Sequence, residues 1–117
     1  MTNEKVYGML FSKVFPMLIA KAERKGRSAD EVFEITEWLT GYSREEISAA
    51  LDEKSGITYG DFFRSAPAPH PNRELIRGVI CGIRVEDIGE PLMREIRYLD
   101  KLVDELARGK SLEKIKR

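Results

Sequence analysis

The chain carries one thiol and one imidazole, and these are its first candidates for chemistry. Cys81 stands in Gly78-Val79-Ile80-Cys81-Gly82, and His70 stands between Pro69 and Pro71. A reactive thiolate needs a helix N-terminus or a cationic neighbour to lower its pKa. The spacing predicts a helix from Arg73 to about Cys81, which places the thiol at a C-terminus where the dipole disfavours an anion. The glycines around it predict a small, buried, structural side chain. His70 is the one side chain here that normally titrates near neutrality, and a lone loop histidine reads first as solvated or locally bonded. A Cys81–His70 dyad, eleven positions apart, is geometrically open, but nothing in the pattern selects it.

Metal and phosphate chemistry find less support. Asp30, Glu31, Glu34 and Glu37 line a helix at ligand-like spacing but have no histidine partner, so they read as a solvated acidic face. A single cysteine excludes an internal disulfide framework and a multi-cysteine zinc site. The glycines of Gly78–Gly82 lack the lysine and following serine or threonine of a phosphate loop. No metal site and no cofactor are expected.

The most suggestive segment for a ligand is the Pro-rich loop over residues 66–73. Pro67, Pro69 and Pro71 alternate and enforce an extended, polyproline-like path. Asn72 caps the helix that the spacing predicts to follow, and a helix N-terminus presents N–H donors suited to an anion. His70, Arg73 and Arg84 are the candidates to complete such a pocket, with Trp38 or Tyr42 as aromatic walls.

The elements that must hold these residues are helices. Phe11, Val14, Phe15, Leu18, Ile19 and Ala22 form a helical stripe, and Pro16 predicts that the regular helix begins near Phe15 and ends at Gly26. Ser28 with Glu31, and Ser43 with Glu46, are capping boxes, and Gly41 between them predicts an αα-hairpin. Val32, Ile35 and Leu39 mark its buried stripe, with Trp38 at the edge, and Ile47, Ala50 and Leu51 follow. Thr58 caps a short helix carrying Phe62 and Phe63. Pro91 opens the last long helix, which runs to about Arg108 with Gly109 as its stop. Leu92, Met93, Ile96, Leu99, Leu102, Val103 and Leu106 give it a core-facing seam, and Glu90–Arg94, Lys101–Glu105 and Asp104–Arg108 are helical charge neighbours. Ser111 caps a final turn with Leu112 and Ile115. No strand pattern rises above this. The expected fold is all-α: a compact single-domain bundle of about five to seven helices spanning 1–117, with a central long C-terminal helix. Residues 1–9 are expected as a helical turn or an irregular arm, and 110–117 as a basic tail.

Composition bounds the functions. The chain has 117 residues, 42% hydrophobic, with 20 basic and 20 acidic side chains. This is the composition of an ordinary soluble domain. The longest apolar run, residues 15–20, is far short of a membrane span, and with one thiol and no leader the expected location is the cytoplasm. The charges are segregated. Asp30 to Glu53 holds eight acids against Arg44, while 21–27 and 110–117 each hold four bases against one acid. Much of this is what helix termini prefer. A helix-turn-helix reader over Arg44 to Lys54 would carry Glu45, Glu46, Asp52 and Glu53, which repel phosphates, so nucleic acid is a disfavoured partner. Opposite patches leave self-pairing open.

Taken together, Trp38-Leu39-Thr40-Gly41-Tyr42, Phe62-Phe63 with Ala66-Pro67, Pro71-Asn72, Gly78 to Gly82 and Ile96 to Ala107 resemble a small bacterial family, domain of unknown function 2200. The resemblance runs from about Tyr7 to Arg117 and implies a bacterial, stand-alone cytoplasmic domain without assigned activity or ligand. The expected function is a small binding or protein-interaction module that self-associates as a homo-oligomer. The alternative is a small-ligand or anion-binding protein or enzyme with its site around 66–73.

Overall fold

Local capping signals place most of the helices. The computed structural model describes residues 3–117, and its helices are α1 (Asn3–Tyr7), α2 (Phe11–Glu23), α3 (Ala29–Thr40), α4 (Arg44–Leu51), α5 (Tyr59–Arg64), α6 (Pro91–Ala107) and α7 (Leu112–Ile115). Ser28 and Ser43 each accept the backbone N–H three residues on, and Glu31 and Glu46 accept the serine N–H in return. Thr58 and Ser111 cap α5 and α7 in the simpler way. Gly41 closes α3 in the left-handed conformation, at φ 81°. The αα-hairpin and the long helix with proline at its first turn form as the sequence indicates.

The core lies where α2, α3, α5 and α6 meet. Ile96, Leu99, Leu102, Val103 and Leu106 of α6 are each at most 1% exposed. They face an aromatic cluster in which the Phe11 ring lies 4.0 Å from Phe62 and 4.9 Å from Phe15. Each such burial is worth roughly 1.5–3 kcal/mol before conformational entropy is charged against it. The Cα radius of gyration is 13.2 Å, against about 13 Å expected for one compact domain of this length.

Two predicted elements are overturned. α2 starts at Phe11, with Pro16 inside it. Tertiary contacts outweigh the local penalty. The Phe11 N–H donates to the Ile57 carbonyl at 3.0 Å, and Phe11 and Phe15 are both fully buried. The helix expected from Arg73 to Cys81 is absent. In its place stand a 3-10 turn, Pro71–Leu75, and an antiparallel hairpin of β1 (Val79–Ile80) and β2 (Ile83–Arg84). Cys81 (φ 53°) and Gly82 (φ 79°) form its tight turn with two positive φ values, as a type I′ hairpin requires. Cys81 is therefore exposed, not buried. A further 3-10 turn, Val85–Asp87, leads to α6. The N-terminal segment is helical over Asn3–Tyr7, and the first part of the 1–9 expectation, residues 1–2, lies outside the described residues.

Charge pairing also departs from local expectation. Asp104–Arg108 forms at 3.0 Å, but Glu90 bonds Asn3 and Tyr7, and Glu105 bonds Arg117 and Lys110. Burial and the Glu90 hydrogen bond push the Tyr7 hydroxyl up to about 12. The basic tail docks on its own chain, with Lys116 on Glu34 of α3 and Arg117 on both Glu105 oxygens. The acidic face of α3 is drawn into separate ion pairs: Asp30 with Arg44, Glu31 with Arg27 and Glu34 with Lys116. No helix among the described residues is long and apolar enough to cross a membrane.

Candidate functional site

The Pro-rich loop is strapped to the end of α3. The Ala68 N–H donates to the Thr40 carbonyl at 3.0 Å and the His70 N–H to the Leu39 carbonyl at 3.1 Å. These satisfy carbonyls that a helix terminus leaves orphaned. The approach is close because residue 41 is glycine, where a Cβ would stand 2.7 Å from the Ala68 Cβ.

The loop places its candidate residues in structural roles. The His70 ring stacks on Trp38 at 4.4 Å, and its Nδ1 accepts the Asn72 N–H at 3.0 Å. His70, not Asn72, is thus the N-cap, and it heads a 3-10 turn of five residues instead of a long helix. The Asn72 amide donates to the Arg117 carbonyl at 2.8 Å. Arg73 Nε reaches both Glu95 oxygens at 2.9 Å, and its Nη1 donates to the His70 carbonyl. Trp38, His70, Asn72 and Arg73 therefore come together. Tyr42 donates elsewhere, to the Phe62 carbonyl at 2.7 Å, and Arg84 extends from the hairpin near Glu86 at 3.8 Å.

Behind the loop is a cavity of about 260 Å³ whose walls include Leu39, Phe63, Pro69, Pro91 and Leu92, with Arg64 and Glu95 at its polar positions. None of the six residues anticipated from sequence lines it. Arg73 touches it only through Glu95.

The second feature is the hairpin. Leu75, Val79 and Ile83 are 55%, 50% and 56% exposed, three of the four large hydrophobic side chains that the described residues leave in solvent. The hairpin base is held by Val85 N–H on the Gly78 carbonyl at 2.9 Å and by Gly78 N–H on Glu86. The Gly78 N–H holds the Glu86 carboxyl below the usual range. The tip folds back on α6, where Arg97 Nη1 lies 3.8 Å from the Cys81 sulfur and Lys101 donates to the Val79 carbonyl at 3.3 Å. Beneath, Arg97 pairs with Asp100 at 2.7 Å, and burial pushes the Asp100 carboxyl up.

A model of a bacterial family, described as an uncharacterized protein conserved in bacteria (DUF2200), matches residues 5–117. The chain belongs to that family. The DUF2200 chain is also similar to a crystal structure described as uncharacterized protein SP1917. The two share 52% identity at a TM-score of 0.91, covering 97% of this chain and 92% of the other. No curated protein matches it. The hairpin of this DUF2200 domain had a signal in the sequence: two β-branched-rich runs, Val79-Ile80 and Ile83-Arg84-Val85, separated by two residues ending in glycine.

Proposed function

We propose that this chain is a small protein-interaction module that associates with a second copy of itself through the hairpin. The observation that carries the reading is the display in solvent of Val79 and Ile83 on the two-stranded ribbon, with Leu75 at the end of the 3-10 turn that precedes it, all within nine residues. A two-fold interface must be self-complementary, and the apolar side chains are interspersed with both signs: Arg77 and Arg84 against Glu74, Glu86 and Asp87. A standard interface buries roughly 800 Å² per partner, more than three side chains supply, so the association is weak and concentration-dependent.

Sedimentation over a concentration series tests this. A reversible dimer is expected, and Val79→Asp with Ile83→Asp is expected to give a monomer with the same helical circular dichroism. A chain that stays monomeric at millimolar concentration sinks the reading.

A second reading rests on the cavity behind the Pro-rich loop. Its apolar walls suit a small apolar or aromatic ligand, below the size of most drug-like molecules. A fragment screen by thermal shift, repeated on Leu92→Trp to fill the cavity, tests it. Hits that survive the filled cavity place the ligand elsewhere.

A further inference from the structure

The two basic segments, some 80 positions apart in sequence, converge on one face. Lys21 lies in the last turn of α2, with Arg24 and Lys25 just past its end; Lys101 lies in α6 and Arg108 at its C-cap; Lys110 and Lys114 follow. They line two adjoining concavities of about 590 and 380 Å³ that share Arg108 as a wall.

The charge there exceeds what the fold consumes. Asp104 serves three cations at once, Lys21 at 3.4 Å, Lys101 at 3.7 Å and Arg108 at 3.0 Å. Glu105 is occupied by Lys110 at 3.5 Å and Arg117 at 2.7 Å. Arg24, Lys25 and Lys114 have no carboxylate partner among the described residues. Seven cations thus line the concavities against two carboxylates. Two helix C-termini contribute about half a negative charge each, which offsets only about one of the five excess charges. The helix-terminus preference that explains basic residues at these positions is too small to explain this surplus.

The scaffold under the charges is fixed. Arg27 Nη1 donates to the Leu106 and Lys110 carbonyls at 3.1 and 2.9 Å, tying the α2–α3 turn to the end of α6. The Lys101 and Asp104 side chains are only 14% and 13% exposed, so the centre of the face is held in place.

We propose that this face binds the polyphosphate group of a small ligand, either inorganic polyphosphate or the phosphate tail of a nucleotide. Cations around a concavity suit a compact anion that enters it, whereas a duplex presents a convex rod. Neither concavity is lined by an aromatic or large apolar side chain. A base therefore finds nothing to stack on, and an acyl chain finds nothing to bury against. The phosphates alone carry recognition. The site meets the hairpin only at Lys101, which also donates to the Val79 carbonyl. The substitutions that test each reading leave Lys101 in place, so its failure and that of the self-association reading are separable.

Titration calorimetry with tripolyphosphate, ATP, orthophosphate and a 20-base-pair DNA duplex tests the proposal. One-to-one binding of tripolyphosphate is expected, with ATP within about threefold, orthophosphate more than about tenfold weaker, and affinity falling as salt is raised. Arg24→Ala with Lys25→Ala and Lys114→Ala removes only cations without a carboxylate partner, so the thermal melt stays near wild type while affinity falls more than about tenfold. Full affinity in that variant, no tripolyphosphate binding at millimolar concentration, ATP tighter by tenfold or more, or the duplex tighter than tripolyphosphate would each overturn it.

Discussion

The His70 ring lies on the indole of Trp38, 4.4 Å between centroids and 22° from parallel, and this pair fixes the Pro-rich loop to α3. The same imidazole caps the following turn by accepting the Asn72 N–H. His70→Ala removes a ring contact worth about 0.5–1.5 kcal/mol and a cap worth about 1 kcal/mol, for a combined loss of about 1.5–2.5 kcal/mol. Trp38 is the only tryptophan, so its emission reports the loop directly. A red shift in His70→Ala is expected, and unchanged emission with unchanged stability would refute the fastening role.

Tyr59 is buried at 2% exposure, and its hydroxyl has no hydrogen-bond partner among the described residues. Burial raises its pKa well above the ordinary phenol value. An unsatisfied buried polar atom costs about 1–3 kcal/mol, so Tyr59→Phe is expected to stabilise the fold by about 1 kcal/mol in chemical denaturation. Destabilisation by a similar amount would mean that the hydroxyl has a partner in solution.

Cys81 holds φ 53°, a left-handed conformation that side chains other than asparagine and aspartate adopt at a cost. Asparagine followed by glycine is the preferred pair for this turn. Cys81→Asn is therefore expected to raise stability by roughly 0.5–1 kcal/mol without changing the hairpin. A loss of stability instead would show that the thiol's contact with Arg97 outweighs the strain.

Glu31 receives the Arg27 guanidinium and the Ser28 N–H, which together hold its carboxyl below the usual range. A depressed carboxyl adds stability above its unfolded pKa, about 4.3, and loses it as pH falls through the folded value. Glu31→Gln preserves the capping geometry and removes the charge. Its unfolding free energy should lie about 0.5–1 kcal/mol below wild type at pH 7, and the two curves should converge below about pH 4. Parallel curves down to pH 3 would exclude the linkage.

Signals confined to a few residues were legible without the fold. Ser28 with Glu31, Ser43 with Glu46, Gly41 and Pro91 act on backbone groups within one helical turn, and each formed as its local chemistry dictates. The seam of α6 was equally plain, because its apolar period is a property of one helix. The segment from Arg73 to Arg84 was not. Its β-branched residues and the Cys81-Gly82 turn suit a hairpin, yet the same residues also fit a short helix until Lys101, Arg97 and Glu86 hold the ribbon in place.

By itself the sequence determined where the capped helices α3, α4, α5 and α7 and the proline-led α6 begin, which face α6 buries and that the chain belongs with its family, since these depend on neighbours along the chain. Tertiary structure alone decided that Pro16 lies inside α2, that His70 rests on Trp38 and that Arg73 pairs with Glu95 instead of facing an open pocket. It also brought two distant basic segments together. Each of these depends on groups that meet only when the chain folds, and contact energies across the core outweigh the local preferences of a few residues.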